Sequence, residues 1–278
     1  MHFEREFAGE DYDGKNELKI NVMKKTYHLC LSSEDEVMFR DTEDYNRGFN
    51  CFALALHKTG STGLADAFMS NHFHIVVQTE NPDGFMGAIR MPYCKYFNAK
   101  YGRTGRLGEK NHFCIAVEGL HHHLAVISYV FRNPLHHGMA PIAYAYPHSS
   151  VNAIFMKEMG KKPESCLLPQ KSFYRHIGRR SDFPDSYRMS DDGLFLRESV
   201  IDVVQVENMF ATPRTFDYYM NRKSSEEWTA EQEKDRNGAS PVTLADIEYG
   251  ITLNPLNQML INEGGKGKLQ TYVRYTSL

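Results

Sequence analysis

Two segments, 64–69 (LADAFM) and 72–78 (HFHIVVQ), are separated only by Ser70-Asn71. Both read as strands, and a link that short leaves room for nothing but a tight turn between them. This pair limits the fold, because the chain around it keeps switching between strand and helix patterns. A strand is predicted over 26–32 (TYHLCLS), where apolar and polar residues alternate. A helix is predicted over 41–57, acidic at its start and apolar after it. Beyond the paired strands, Asn81-Pro82-Asp83-Gly84 marks a turn, 85–101 reads as a helix and 112–117 (HFCIAV) as a strand. A last helix spans 120–133, and Pro134 ends it, since the residue before a proline is pushed out of the helical region. The order β-α-β-β-α-β-α predicts an α+β sandwich, an antiparallel or mixed sheet with helices on one face.

The 278 residues are 41% hydrophobic and 24% charged, an ordinary globular balance. No run approaches the ~20 apolar residues of a membrane span, so no membrane role is expected. The N-terminus (MHFEREFAGEDYDGKN) is acidic and lacks the apolar centre of a secretory signal. Cys30, Cys51, Cys94, Cys114 and Cys166 are odd in number and never spaced C-x-x-C. That argues against a disulfide scaffold and a cysteine zinc site, and for a reducing, cytoplasmic location. The net charge of −3 hides an asymmetry: residues 1–80 carry −6, residues 81–189 carry +8, and residues 190–278 carry −5. A basic middle between acidic flanks suits a polyanion, or is an ordinary fluctuation of surface charge. Nine of the thirteen histidines fall between His72 and His148.

Residues 1–24 read as a loosely packed N-terminal arm, 151–189 as a basic connecting segment, and 190–278 as a separate, mainly helical C-terminal extension. Helical patterns run over 194–210 and 215–234, a break falls at 236–241, and shorter helices fit 243–249 and 256–261. Trp228 is the expected core anchor of that part.

Strand side chains alternate, so His72 and His74 share one face while Phe73, Ile75 and Val77 point to the other, the core. Two imidazoles on the open face of a sheet are a platform for a metal ion, or two ordinary strand histidines. On the helix over 120–133, Leu120, Leu124, Ile127 and Phe131 form one apolar stripe. Tyr129 falls opposite it, with Asn133 one turn further along the same side and His122 two turns back.

These residues carry a resemblance. Residues 65–77 (ADAFMSNHFHIVV) resemble the "MPNHxH plus hydrophobic strand" signature of the HUH single-strand transposases, and within them most closely the REP-associated tyrosine transposases. Residues 128–139 (SYVFRNPLHHGM) are similar to that family's "Y-x3-NP-x3-G" helix end. Residues 101–107 (YGRTGRL) resemble its "G-x-x-G-x-L" connector, and 146–150 (YPHSS) its "YPWSS". The four blocks fall in the family's order. The family's "Q-x-R-Y/F" element is replaced by Glu109-Lys110-Asn111-His112-Phe113, without the arginine, and the acids that open its catalytic helix by His121-His122-His123.

The resemblance implies a ferredoxin-like antiparallel sheet and a nuclease domain over 25–150. It implies that Tyr129 is the nucleophile, attacking phosphorus to give a 5′-phosphotyrosine and a free 3′-OH, and that a second 3′-OH can rejoin the strand. A tyrosine phenol, with a pKa near ~10, is a weak nucleophile at neutral pH. A divalent cation, Mg2+ or Mn2+, held by His72, His74 and the Asn133 amide oxygen would polarise the scissile phosphate. The expected partner is single-stranded or hairpin DNA of a repeat-element type, with the protein a monomer or homodimer. Arg90, Lys95, Lys100, Arg103 and Arg106 are the expected phosphate contacts, extended by Arg179 and Arg180. Tyr93, Tyr96 and Tyr101 are expected to pack or to stack on bases. His136, His137 and His148 are expected to be structural or at the surface. The main alternative is a domesticated nucleic-acid-binding protein with lost or restricted activity. A replication initiator, a relaxase and a small-molecule hydrolase are further from the pattern.

Overall fold

The computed structural model describes residues 24–33, 36–177 and 183–221. Residues 1–23 of the expected arm, Arg179, Arg180, Trp228 and all C-terminal expectations beyond 221 lie outside these residues. The elements run β1 (Lys25–Ser32), α1 (Thr42–Thr59), β2 (Thr62–Phe68), β3 (His72–Thr79), α2 (Pro82–Tyr101), β4 (Phe113–Val117) and α3 (Gly119–His136). Short helices follow: α4 (Phe173–Ile177), α5 (Arg197–Val200), α6 (Val203–Phe210) and α7 (Pro213–Asn221). The sheet is antiparallel throughout, in the order β2-β3-β1-β4. That is the βαββαβ arrangement of a ferredoxin-like sheet, and the expected α+β class holds.

Local signals account for the helix ends. Asp41 caps α1, its carboxylate accepting the Asp44 N–H at 3.0 Å, and Asn81 caps α2, accepting from Gly84 at 2.8 Å. Gly102 closes α2 with φ of 62°, a left-handed turn that a side chain resists. Pro134 does not end α3, which runs one turn further to His136. A proline removes only its own donor, and the His137 N–H still reaches the Asn133 carbonyl at 3.1 Å to close the turn.

Asp41 also accepts from Lys100 Nζ at 2.8 Å. Partial burial tends to raise the Asp41 pKa, but the Lys100 and Asp44 hydrogen bonds and the Lys100 charge hold it below the ordinary value. A depressed carboxyl contributes stability above its unfolded pKa of ~3.9 and loses it as the pH falls through the folded value. Asp41→Ala is expected to cost about 1 kcal/mol at neutral pH through the lost cap. Urea unfolding should show that gap closing in acid, and an equal gap at pH 7 and pH 2 would contradict it.

Both faces of the sheet are covered. Phe73, Ile75 and Val77 meet α1 and α2 in one core cluster, while Val76, Leu64 and Ala67 meet α3 in a second. The expectation of helices on one face therefore holds for α1 and α2, and α3 closes the other. It is sandwiched there against α6 and α7, whose Val206, Phe210, Phe216 and Met220 are buried in the same cluster. For this reason α3 is buried all round from Leu124 to Pro134. Tyr129 is 3% exposed rather than solvated, and Leu120, expected in the buried stripe, is 59% exposed.

Residues 190–221 are not an appendage: Phe195, Val200 and Ile201 join the first cluster and α6 and α7 the second. The helix expected over 194–210 is interrupted at Ile201, which bridges to Gly63, and Asp202 then caps α6, accepting from Gln205 at 3.0 Å. The segment 146–150 seals the outer edge of β2. Tyr146 Oη donates to the Phe68 carbonyl at 2.6 Å, Ser149 Oγ to the Asp66 carbonyl at 3.0 Å, and Ser150 Oγ accepts the Asp66 N–H at 2.9 Å.

Candidate functional site

β3 sets His72 and His74 on the face that α3 covers, and α3 lays Tyr129 and Asn133 across them. The expected open face is absent: His72 is 3% exposed, His74 1% and Asn133 1%. The polar side chains are instead enclosed between sheet and helix.

His72 is fixed from both sides. Asn71 Nδ2 donates to the Ser33 carbonyl at 2.9 Å, which leaves Asn71 Oδ1 facing His72 Nδ1 at 2.7 Å. An amide oxygen only accepts, so Nδ1 carries the proton and, in the neutral ring, Nε2 carries the lone pair. Nε2 faces Asn133 Oδ1, also an acceptor, at 3.0 Å. Asn133 Nδ2 is buried and has no hydrogen-bond partner among the described residues. Two lone pairs that face each other close around a positive charge, a second ring proton or a metal ion. Turning the amide over would let Nδ2 donate instead. The 3.0 Å spacing suits neighbouring ligands of an octahedral ion with ~2.1 Å bonds, which stand roughly 3.0 Å apart. Nitrogen and amide oxygen are also suitable donors for Mn2+ or Mg2+. His72 and Asn133 therefore fit a divalent cation.

His74 stands beside this contact. Its ring is 5.2 Å from that of His72, its Nδ1 is 3.0 Å from His28 Nε2, and its Nε2 is 3.9 Å from Cys30 Sγ. Among the described residues, no three His, Cys, Asp or Glu side chains cluster as a metal site, so such a site depends on the Asn133 oxygen. Tyr129 lies over the His74 side, with its ring 5.5 Å from His74, 5.8 Å from His28 and 5.9 Å from His136. His137 packs 5.1 Å from His72. His136 and His137, expected to be structural or at the surface, thus border the site. His28 was not anticipated, and Asn71 was expected only as part of the tight turn and of the 65–77 block. The one signal for His28 is strand alternation, which sets Thr26, His28 and Cys30 on one face of β1.

The five expected phosphate contacts separate into two groups. Arg90 donates to the carbonyls of Leu107, Gly108, Glu109 and Lys110 and so holds the connector in place. Lys100 is paired with Asp41, Glu43 and Asp44, and Arg103 with Glu36 at 2.5 Å. Lys95 and Arg106 are exposed. Lys95 and its neighbours on α2 sit on the sheet face opposite Tyr129, because α2 belongs to the first core cluster and Tyr129 to the second. His122 is drawn back to its own helix start, its Nδ1 accepting the Glu118 N–H at 3.3 Å. Tyr93 Oη donates to the Met38 carbonyl, and Tyr96 and Tyr101 donate to Asp44, so these three pack rather than stack on bases.

No helix among the described residues is long and apolar enough to cross a membrane. No protein-family model matches the chain, and no curated relative does. Among solved structures, a REP-associated tyrosine transposase bound to a REP hairpin is similar, at 14% identity and a TM-score of 0.42, over 66% of this chain and 94% of that one. At that similarity, any reading of function rests on the residues of the site itself.

Proposed function

We propose that this chain is a metal-dependent DNA-nicking and strand-transfer enzyme that works through a tyrosine. The observation that carries the reading is the 3.0 Å meeting of His72 Nε2 and Asn133 Oδ1, two buried acceptors, one helical turn from Tyr129. His72, His74 and Asn133 would hold Mg2+ or Mn2+, which when bound polarises a phosphate oxygen. Asn71 keeps the His72 lone pair turned towards Asn133. Tyr129 Oη gives up its proton and attacks phosphorus. The bond from phosphorus to the 3′ oxygen breaks, and that oxygen takes up a proton, balancing the one the phenol lost, and leaves as a 3′-OH. One phosphoester replaces another, so no nucleotide is consumed, and the reverse step rejoins DNA. The test is incubation with a labelled single strand or hairpin and Mn2+, followed by a denaturing gel. A metal-dependent covalent adduct is expected, and its absence under all metal conditions would remove the enzymatic reading.

A second reading, a nucleic-acid-binding protein derived from such an enzyme, is favoured by the 3% exposure of Tyr129. It predicts hairpin binding without an adduct.

Lys95 and Arg106 are the two exposed side chains among the expected phosphate contacts that the described residues contain. With ~0.9 added to the salt slope per phosphate contact, removing both by alanine substitution should flatten the dependence of hairpin affinity on salt by about 1.8. Affinity measured between ~50 and ~200 mM salt reads this directly. An unchanged slope would take these two residues out of the interface.

A further inference from the structure

His28 has no part in the chemistry above, yet it is buried at 4% exposure in the middle of the site. β1 and β3 pair so that Cys30 lies opposite His74 and His28 opposite Val76. His28 is therefore the diagonal neighbour of His74 on the same sheet face. Its Nε2 is 3.0 Å from His74 Nδ1, and the two rings are stacked with centroids 5.2 Å apart. Phe113 of β4 and Tyr129 of α3 meet its ring edge-on at 5.4 and 5.8 Å, which locks its orientation.

We propose that His28 is a positioning residue that holds His74 with its proton on Nδ1, so that both histidines of the H-x-H direct a lone pair from Nε2. Two neutral imidazoles in contact share one hydrogen, and what each ring meets on its far side bears on who donates. On the far side of His74 stands Cys30 Sγ, 3.9 Å from Nε2. A thiol is a weak donor and its sulfur a weak acceptor. If His74 donates from Nδ1 to His28, Nε2 accepts from the thiol and can exchange that weak contact for a better one. In the opposite arrangement a ring N–H is spent on sulfur. Asn71 imposes the same tautomer on His72, so the two histidines are fixed in parallel, one by an amide and one by an imidazole. What the His74 lone pair serves rests on the metal reading above, whereas the tautomer does not.

The experiment uses the full chain labelled with 15N-histidine. Long-range proton–nitrogen correlation of the ring signals assigns the His74 tautomer at neutral pH, and calorimetric titration with Mn2+ alone measures binding. His28→Leu removes the acceptor, and His28→Gln replaces it with an amide oxygen. The wild type and His28→Gln are expected to show His74 protonated on Nδ1. His28→Leu is expected to lose that preference and to bind Mn2+ about 10- to 100-fold more weakly, the usual effect of losing an outer partner of a ligand. His74 protonated on Nε2 in the wild type would overturn the proposal, as would a tautomer and Mn2+ affinity unchanged in His28→Leu. If the wild type binds no Mn2+, the metal reading fails, and the tautomer comparison still decides the role of His28. If His28→Leu does not fold, the wild-type tautomer and its retention in His28→Gln decide it.

Discussion

Tyr129→Phe is expected to abolish the covalent adduct with a labelled strand while leaving the chain folded. The change removes one oxygen from the group that meets His28, His74 and His136, and the phenylalanine ring fills the same space. Had Tyr129 been solvated, as the helical pattern suggested, the cost in stability would be close to nothing. Burial at 3% exposure changes that expectation. The loss of a buried hydroxyl should cost about 0.5–1.5 kcal/mol, the net worth of a typical hydrogen bond, read as a lowered midpoint in urea. Tyr93, Tyr96 and Tyr101 give the control. All three lie on α2, and their hydroxyls donate to Met38 or Asp44 on the far side of the sheet. Burial holds the Tyr93 phenol well above its ordinary value, so it offers no ready oxyanion. An adduct surviving in Tyr129→Phe would reassign the nucleophile. An adduct absent even from the wild type, with hairpin binding intact, would favour the binding protein.

The sequence made the element order legible through local patterns: a period of two for 26–32, an acidic start followed by apolar residues for 41–57, and a stripe near 3.6 for 120–133. It also placed His72 with His74, and Tyr129 with Asn133, because strand alternation and one helical turn are local rules. What it hid is long-range. The outer side of α3 is covered by Phe210 and Phe216, whose rings pack 4.9 Å apart, and Phe131 of the apolar stripe meets Phe216 at 6.0 Å. Nothing local to α3 announces those partners; with the apolar stripe turned towards them, the tyrosine face is the one laid on the sheet, 5.5 Å from His74. His28 was hidden for the same reason, since its meaning depends on the β1–β3 register. The partners of the cations were hidden too, because composition counts charges without what they pair with. Lys100 is spent on Asp41 and Asp44, more than fifty residues earlier in the chain, and Arg90 on four backbone carbonyls.

His72→Ala is the change expected to affect the metal most. The imidazole links Asn71 to Asn133, at 2.7 Å on one side and 3.0 Å on the other. Its removal takes a donor from Asn71 Oδ1 and a ligand nitrogen from the site, in a region where both amides are 1% exposed. The structural part should cost about 1–3 kcal/mol, the penalty for leaving a buried polar group unsatisfied. The metal part should be larger than that of any outer partner, so Mn2+ affinity is expected to fall by more than ~100-fold. Asn133→Asp provides the contrast. It keeps an oxygen where Oδ1 stands and adds a negative charge, which a hard cation prefers to a neutral amide. Calorimetric titration with Mn2+ should therefore rank the chains Asn133→Asp at or above wild type, and His72→Ala far below both. If the His72–Asn133 contact is only a hydrogen bond with the amide turned inwards, the carboxylate brings no gain and His72→Ala costs stability alone. Equal Mn2+ binding by wild type and His72→Ala would therefore end the case for a metal at this contact, and would leave Tyr129 as an enclosed aromatic packed among histidines.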